Sequence, residues 1–311
     1  MKVLVTGGLG FIGSHLVEEL KGHTVDVVDS NVNKRADESE LPINAFFKSD
    51  VSKFKAPYAY DQIYHLASPV GPAGVLKYAG RMAPDIINGL RNVLDIAAAQ
   101  NAAILYVSSS EVYGPQPTEE YQREDFHKIV PHHITVRLEY GVGKMLGEIM
   151  AVNDARDKSY PLRIVRFFNT IGERQNPDYG FVVPRFINQA LKGEPITVFG
   201  SGEQKRCFTY VKDTVDGMRH IMKYGERSEI YNIGNYKNET TINQIAEKIK
   251  EFTGSQSQIV HIDPKTIYGP TFEEAWNKKP DTQKLRALNW EAKWSFDDTL
   301  KRIIEHHKRS A

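Results

Sequence analysis

Apolar positions in the first half of the chain follow two alternating rhythms. Short β-rich runs at Lys2–Thr6, Thr24–Asp29, Gln62–Leu66, Ala103–Ser108 and Leu162–Phe168 read as strands. Between them, Phe11–Leu20, Asp85–Gln100 and Tyr140–Ala155 repeat with a helical period, the last placing Met145, Ile149 and Val152 on one side. This alternation predicts an α/β fold, a parallel sheet covered by helices on both faces. After Phe168 the rhythm changes. Gly and Pro loops become frequent, and helices predicted at Pro184–Leu191, Asn243–Thr253 and Asp297–His307 sit among short strands such as Ile196–Phe199. That pattern predicts a smaller, mixed α/β C-terminal lobe. Two lobes of this kind place a ligand cleft between them, beyond the C-terminal ends of the strands.

Composition narrows the classes. The chain has 311 residues, 41% of them hydrophobic, and a formal net charge of +1 with the two signs interspersed. No basic field marks a nucleic-acid partner. No apolar run reaches the ~18 residues of a membrane helix. The apolar start at Lys2–Thr6 is too short for a secretion signal and runs into a glycine turn. Cys207 is the only cysteine, which excludes an internal disulfide and a Cys-based metal cluster and fits a reducing cytoplasm. The histidines carry no metal signal. His132 and His133 are adjacent, so on a strand they would point apart, and His306 and His307 fall at a charged helix end where a dipole contact suffices.

The strongest chemistry lies at the start. Gly7, Gly8, Gly10 and Gly13 stand between a predicted strand and helix and allow two spacings, Gly8-x-Gly10-x-x-Gly13 and Gly7-x-x-Gly10-x-x-Gly13. Either suits a dinucleotide: glycines permit the tight turn, the close approach of a pyrophosphate and the packing of helix on strand. Asp29 follows Gly7 by 22 residues, at the end of the second strand. A carboxylate there accepts hydrogen bonds from ribose hydroxyls and repels a 2′-phosphate, which favours NAD over NADP. Lys34 and Arg35 could pair with such a phosphate, or form a solvated loop. Asp50 and Val51, after the next extended run, could contact adenine or simply form a loop turn. Residues 1–168 are therefore expected to form a Rossmann-type, doubly wound, NAD-binding domain to which the chain returns around 207–232, and residues 169–311 a substrate lobe.

A second constellation follows. Tyr140 and Lys144 are four apart on a predicted helix and share a face. An ammonium near a phenol lowers the phenol's pKa and makes it a usable base. The cluster Ser108-Ser109-Ser110-Glu111 follows a strand, so its hydroxyls would emerge at the sheet edge beside the cofactor.

With these residues in place, the sequence resembles the extended short-chain dehydrogenase/reductases that modify nucleotide sugars. The likeness covers nearly the whole chain. It runs through Gly7-x-x-Gly10-x-x-Gly13, His65-Leu66-Ala67, Ser109-Ser-Glu-Val-Tyr-Gly114, Tyr140-x-x-x-Lys144, Arg166-Phe-Phe-Asn169, Gly200-Ser-Gly-Glu-Gln-Lys-Arg206 and Lys279-Pro-Asp281. The resemblance implies that Phe11, Ile12, Leu66 and Ala67 join the NAD site. It makes Ser109 the hydroxyl on the reacting sugar oxygen, Tyr140 the base and Lys144 its tuner. Asn169 and Arg206 would grip the diphosphate, Phe199 would lie against the nucleobase, and Ser110, Val183 and Arg185 would complete the substrate site. Ile196-Thr-Val-Phe-Gly200 favours UDP, with dTDP and GDP open. Members of the family usually dimerise through the helices that correspond to Asp85–Gln100 and Tyr140–Ala155.

Family chemistry begins with oxidation at sugar C4, and the 4-keto intermediate then has several fates. Epimerisation needs room but no further acid or base. A 4,6-dehydration needs extra acid–base groups. Decarboxylation of a 6-carboxylate needs a cation near that carboxylate and a proton donor for C5. Glu111, in hydroxyl-hydroxyl-Glu-Val-Tyr-Gly, resembles decarboxylases and some dehydratases; it could equally pair with a nearby cation. Decarboxylases of the family place arginine two residues before the proline of Lys279-Pro-Asp281. Lys278 stands there, keeping the charge and losing the bidentate fork. Tyr268-Gly-Pro-Thr-Phe-Glu-Glu274 resembles a bacterial subgroup of unassigned activity. The reading that leads is UDP-glucuronate decarboxylation, followed by 4-epimerisation of UDP-glucose or UDP-glucuronate, then 4,6-dehydration or 4-dehydrogenation. A non-catalytic NAD-sensing scaffold is the rival from another class.

Overall fold

The computed structural model describes residues 1–32, 34–116, 120–132, 134–269 and 277–310. His133 and residues 270–274 of the subgroup-like segment lie outside the described residues. Strands β1 (Lys2–Thr6), β2 (Thr24–Asp29), β3 (Ala45–Lys48), β4 (Gln62–His65), β5 (Ala103–Ser109) and β6 (Leu162–Phe167) alternate with helices α1 (Phe11–Glu19), α2 (Pro72–Lys77), α3 (Met82–Gln100) and α4 (Val136–Lys158). The second half adds β7 (Thr170–Ile171), α5 (Val182–Leu191), β8 (Ile196–Phe199), β9 (Lys205–Cys207), β10 (Thr209–Tyr210), α6 (Val211–Tyr224), β11 (Glu229–Ile233) and β12 (Glu239–Thr241). The remaining elements are α7 (Ile242–Thr253), β13 (Ile259–Ile262), α8 (Lys265–Tyr268), β14 (Asn277–Lys278), α9 (Gln283–Arg286) and α10 (Phe296–Ser310).

Seven strands form one sheet in the order β11-β6-β5-β4-β1-β2-β3, and every pairing in it is parallel. This is the doubly wound α/β class that the alternation predicts. The reason lies in β1, where successive side chains point to opposite faces. Val3 and Val5 enter a core with Leu16, Val27 and Met218, whereas Leu4 enters another with Ile63, Leu90 and Ile104. A strand apolar at every position can be buried only between two layers of helix. The strand order reverses between β1 and β4, and a crevice opens there at the carboxyl ends. A third core, with Phe186, Ile187, Val198, Ile245 and Leu300, holds α5, β8, α7 and α10 together.

Two helices start earlier than their apolar stripes predict, and caps explain both. The N-cap Thr135 accepts the N–H of Leu138 at 3.3 Å, so α4 begins at Val136 rather than Tyr140. Its Glu139 then accepts the N–H of Ala83 at 3.1 Å, at the N-terminus of α3, which begins at Met82 rather than Asp85. The expected apolar side of α4 is divided. Met145 packs toward Val112 and Tyr113 and Val152 toward the second core, while Ile149 is exposed together with Leu146.

Candidate active site

The crevice is a cavity of about 790 Å³ running from the glycine turn to Lys278. It is lined by Gly7, Gly10, Phe11, Ile12, Gly13, Asp29, Asp50, Val51, Leu66 and Ala67 at one end, and by Ser109, Ser110, Glu111, Tyr140 and Lys144 at its centre. Asn169, Val183, Arg185, Phe199, Arg206 and Lys278 line the rest. The residues singled out from the sequence thus share one cleft.

The glycine turn resolves which spacing matters. Gly7 has φ +74°, and a Cβ on it would stand 2.9 Å from the backbone nitrogen of Ala67. A Cβ on Gly13 would stand 2.1 Å from the carbonyl oxygen of Gly7, so only glycine allows α1 to start this close to β1. Gly8 instead faces Val27 of β2, within the core and away from the cleft. The operative pattern is Gly7-x-x-Gly10-x-x-Gly13. Such a cradle of backbone at a helix N-terminus fits a dinucleotide pyrophosphate. Asp29 closes the adjacent edge: its carboxylate accepts the N–H of Leu9 at 3.1 Å and of Asn31 at 2.8 Å. Burial pushes its pKa up, and those two N–H groups oppose the rise. Lys34 is held by Asp37 at 2.8 Å and Glu38 at 2.7 Å, so its charge is answered within its own loop. Arg35 lines the cleft and lies 5.6 Å from the centre of the Tyr179 ring. Asp50 caps a short turn by accepting the N–H of Ser52 at 2.9 Å.

At the centre, Ser109 ends β5 and its Oγ accepts the N–H of Glu111 at 3.2 Å. The Tyr140 hydroxyl faces the Ser109 hydroxyl. Burial raises the Tyr140 pKa well above its ordinary value; the Ser109 hydroxyl opposes the rise and the Glu111 charge adds to it. The expected lowering by Lys144 is not found in the protein alone. The ammonium lies 5.9 Å from the phenol ring and donates to the Val107 carbonyl at 2.8 Å. Burial pulls the Lys144 pKa down to about 7, against the charge of Glu148 one helical turn on. Glu148 in turn accepts Ser108 Oγ–H at 2.6 Å and both arms of the fully buried Arg166. Beneath, His65 Nδ1 meets Thr6 Oγ1 at 2.8 Å, and burial pushes its pKa down to about 3.

The far end is a charge cluster. Arg137 forks Glu111, with Nε on Oε2 at 3.0 Å and Nη2 on Oε1 at 2.9 Å, and Lys278 Nζ bonds the same Oε1. Burial acts to raise the Glu111 pKa, but the two cations hold it well below the ordinary carboxylate range. Lys278, buried beside these charges, is pushed down to about 8. It reaches the cleft because β14 pairs with β9, opposite Arg206, and because Gln122 bonds the main chain on both sides of Pro280. Asn169 Nδ2 is buried in the cleft wall with no hydrogen-bond partner, a donor suited to a diphosphate oxygen. Phe199 is only half-buried; the Arg185 guanidinium lies 4.1 Å over its ring. Val183 is fully buried in the third core at the cleft wall.

Arg137 was missed in the sequence reading. Its signal was its place three residues before Tyr140, on the same helical face. Gln175, buried in the cleft with an unpaired Oε1, gave no signal. Among the described residues no group of His, Cys, Asp and Glu could hold a metal ion, and no helix is long and apolar enough to cross a membrane.

Residues 3–234 match the model of the NAD dependent epimerase/dehydratase family. A UDP-N-acetyl-alpha-D-glucosaminuronate decarboxylase of Bacillus cytotoxicus is 34% identical over 316 aligned residues, covering 98% of this chain and 97% of that protein. The UDP-glucuronic acid decarboxylase 1 of Danio rerio is 35% identical over 99% of this chain and 73% of its own length. Among solved structures, MoeE5 in complex with UDP-glucuronic acid and NAD superposes with a TM-score of 0.86 at 25% identity, over 100% of both chains.

Proposed function

The chain belongs to the NAD dependent epimerase/dehydratase family and takes NAD as its cofactor, and from this premise we propose that it decarboxylates a UDP-hexuronate. The observation that carries the reading is the convergence of Arg137 and Lys278 on one carboxylate position, next to the Ser109–Tyr140 pair. A neutral hexose would leave the part-exposed Arg137 and the buried Lys278 to Glu111 alone, whereas a hexuronate brings a second carboxylate for these two cations. The fork that Lys278 cannot supply comes from Arg137, so the chain keeps bidentate carboxylate recognition from another element.

Asn169 and Arg206 bind the diphosphate, and Phe199 with Arg185 receives the uracil. Ser109 donates to the C4 oxygen, and Tyr140, protonated as found, would take the hydroxyl proton as the phenolate that the positive charges of Lys144 and of bound NAD favour, with Lys144 also holding the cofactor ribose. NAD, when bound, supplies the acceptor for the C4 hydride and a positively charged ring. The resulting β-keto acid loses its carboxyl group while Arg137 and Lys278 hold it in place, C5 is protonated, and the C4 ketone would be reduced again by the hydride the cofactor took, with Tyr140 giving back its proton, which yields the UDP-pentose. A second reading, 4-epimerisation of the same acidic sugar, is favoured by one feature: Glu111 is ionised as found, and an epimerase needs no acid there. Incubation with NAD and UDP-glucuronate, UDP-N-acetylglucosaminuronate or UDP-glucose, read by proton NMR, separates the two. A UDP-pentose product supports decarboxylation; a 4-epimer contradicts it. Absence of any product would revive the NAD-sensing scaffold, which has no use for the Ser109–Tyr140 pair.

We further infer a homodimer in the cytoplasm. Leu146 and Ile149 expose an apolar strip on α4, which packs against α3, and a second copy of these helices would cover it. The buried, unpaired Cys207 suits a reducing compartment.

A further inference from the structure

The Glu111 cluster contains a carboxylate where the proposed substrate needs its own carboxylate bound. All three polar contacts of Glu111 with the two cations are those a hexuronate would seek: the two-pronged Arg137 fork and the Lys278 ammonium. We propose that Glu111 is an internal stand-in for the substrate carboxylate, and that binding exchanges one for the other and turns Glu111 into the neutral acid that protonates C5. The inference rests on the decarboxylase reading.

Three features carry it. First, the guanidinium presents one fork, which one carboxylate already fills; a second carboxylate that takes the fork leaves the first with at most the Lys278 ammonium, which favours the neutral form of the displaced one. Second, the groups facing Glu111 make it the one to do so. Arg137 and Tyr140 face it from α4 and Lys278 from β14, with Arg206 of β9 behind Lys278. A substrate carboxylate that claims Arg137 and Lys278 leaves the half-buried Glu111 without the charges that keep it ionised. Third, part of the wall around Glu111 is apolar: it also lines a second cavity of about 60 Å³ with Val112, Ile129, Leu138 and Met145, where Thr135 and Arg137 are the other polar members, and apolar neighbours favour the neutral carboxyl.

The chemistry balances. On binding, Glu111 takes one proton from solvent. Once C4 is a ketone, the C5–C6 bond breaks, its electron pair enters the C4–C5 enolate and C6 leaves as carbon dioxide. The enolate carbon C5 then takes the proton of Glu111, and the carboxylate returns to Arg137 and Lys278. One proton is consumed for each carbon dioxide released.

The test is proton uptake on binding, measured by titration calorimetry of the Tyr140→Phe holoenzyme with NAD in buffers of different ionisation enthalpy. At about pH 6 Lys278 is already charged, since its pKa lies near 8, so uptake there cannot come from it. UDP-glucuronate should take up roughly one proton per molecule bound, UDP-glucose roughly none, and Glu111→Gln in the same background should abolish the difference. Equal uptake for the two sugars, or uptake that survives Glu111→Gln, overturns the exchange while leaving decarboxylation standing. The comparison of two sugars on one protein stands even if the Gln variant folds poorly. Failure of UDP-glucuronate to bind overturns the decarboxylase reading, and the exchange with it.

Discussion

The two ends of the cleft are built by different means. At the cofactor end the chain itself is the recognition surface: Gly7, Gly10 and Gly13 present bare backbone, and Asp29 is fixed by two main-chain N–H groups. At the other end, where we propose the sugar binds, the cleft presents side chains from three places far apart in sequence, Glu111, Arg137 and Lys278, held by their own charges. Backbone offers a rigid shape that serves one cofactor. Ion pairs among side chains can change partners, which suits a place where substrate arrives and chemistry is chosen.

Substitutions can break this contrast, and the largest effect is expected where the ends meet. Tyr140→Phe should lower kcat on the order of 10³-fold and leave the NAD dissociation constant unchanged by calorimetry. Surviving turnover would remove Tyr140 as the base. Next, Arg137→Met leaves Glu111 and Lys278 without their fork. Turnover of UDP-glucuronate should fall on the order of 10²-fold, with UDP-glucose binding little affected. A parallel loss for both sugars would make Arg137 a structural residue. At the other end, if Asp29 accepts the ribose hydroxyls as proposed, Asp29→Ala should weaken NAD roughly tenfold, with improved binding of NADP and no change for the sugar. If NADP binding stays as poor as before, Asp29 is not what excludes the 2′-phosphate.

The smallest effect concerns stability. Burial depresses the His65 pKa to about 3, below its ordinary 6.5, so the unfolded chain binds the proton first as pH falls. The stability that His65 contributes is therefore lost progressively below about pH 6.5. Between about pH 6.5 and 5.5 the loss should be about 1 kcal/mol, and His65→Gln should remove that much of the slope in urea titrations. Glu111, held below the ordinary carboxylate range, stays ionised throughout this window, so Glu111→Gln should leave the slope unaltered. An equal change in both variants would contradict the difference between the ends.

The same contrast explains what could be read before the structure. Local spacing reveals the cofactor end, because Gly7, Gly10 and Gly13 and the Tyr140–Lys144 pair each lie within a turn or two of chain. It left Gly8 ambiguous, since only the packing of Val27 shows which glycine serves the core. Strands β1 and β2 are legible to the residue because each is a short valine-rich run bounded by polar residues, although the buried Asp26 interrupts the second. The start of α4 was not, because a polar cap rather than an apolar stripe sets it, and Arg137 was hidden with it. The Glu111–Lys278 pair spans 167 residues, and nothing local to either reports the other. Lys144 shows a further limit: its charge was visible, but its distance from the phenol and its burial were not.

The most direct measurement follows the carboxyl carbon. UDP-glucuronate labelled with carbon-13 at C6 is incubated with the NAD-loaded enzyme in a sealed tube and observed by carbon NMR. The account predicts that the label leaves the sugar and appears as carbon dioxide and bicarbonate, at the rate at which a UDP-pentose forms. Label retained on a UDP-galacturonate product would contradict it and make Arg137 and Lys278 the carboxylate clamp of an epimerase.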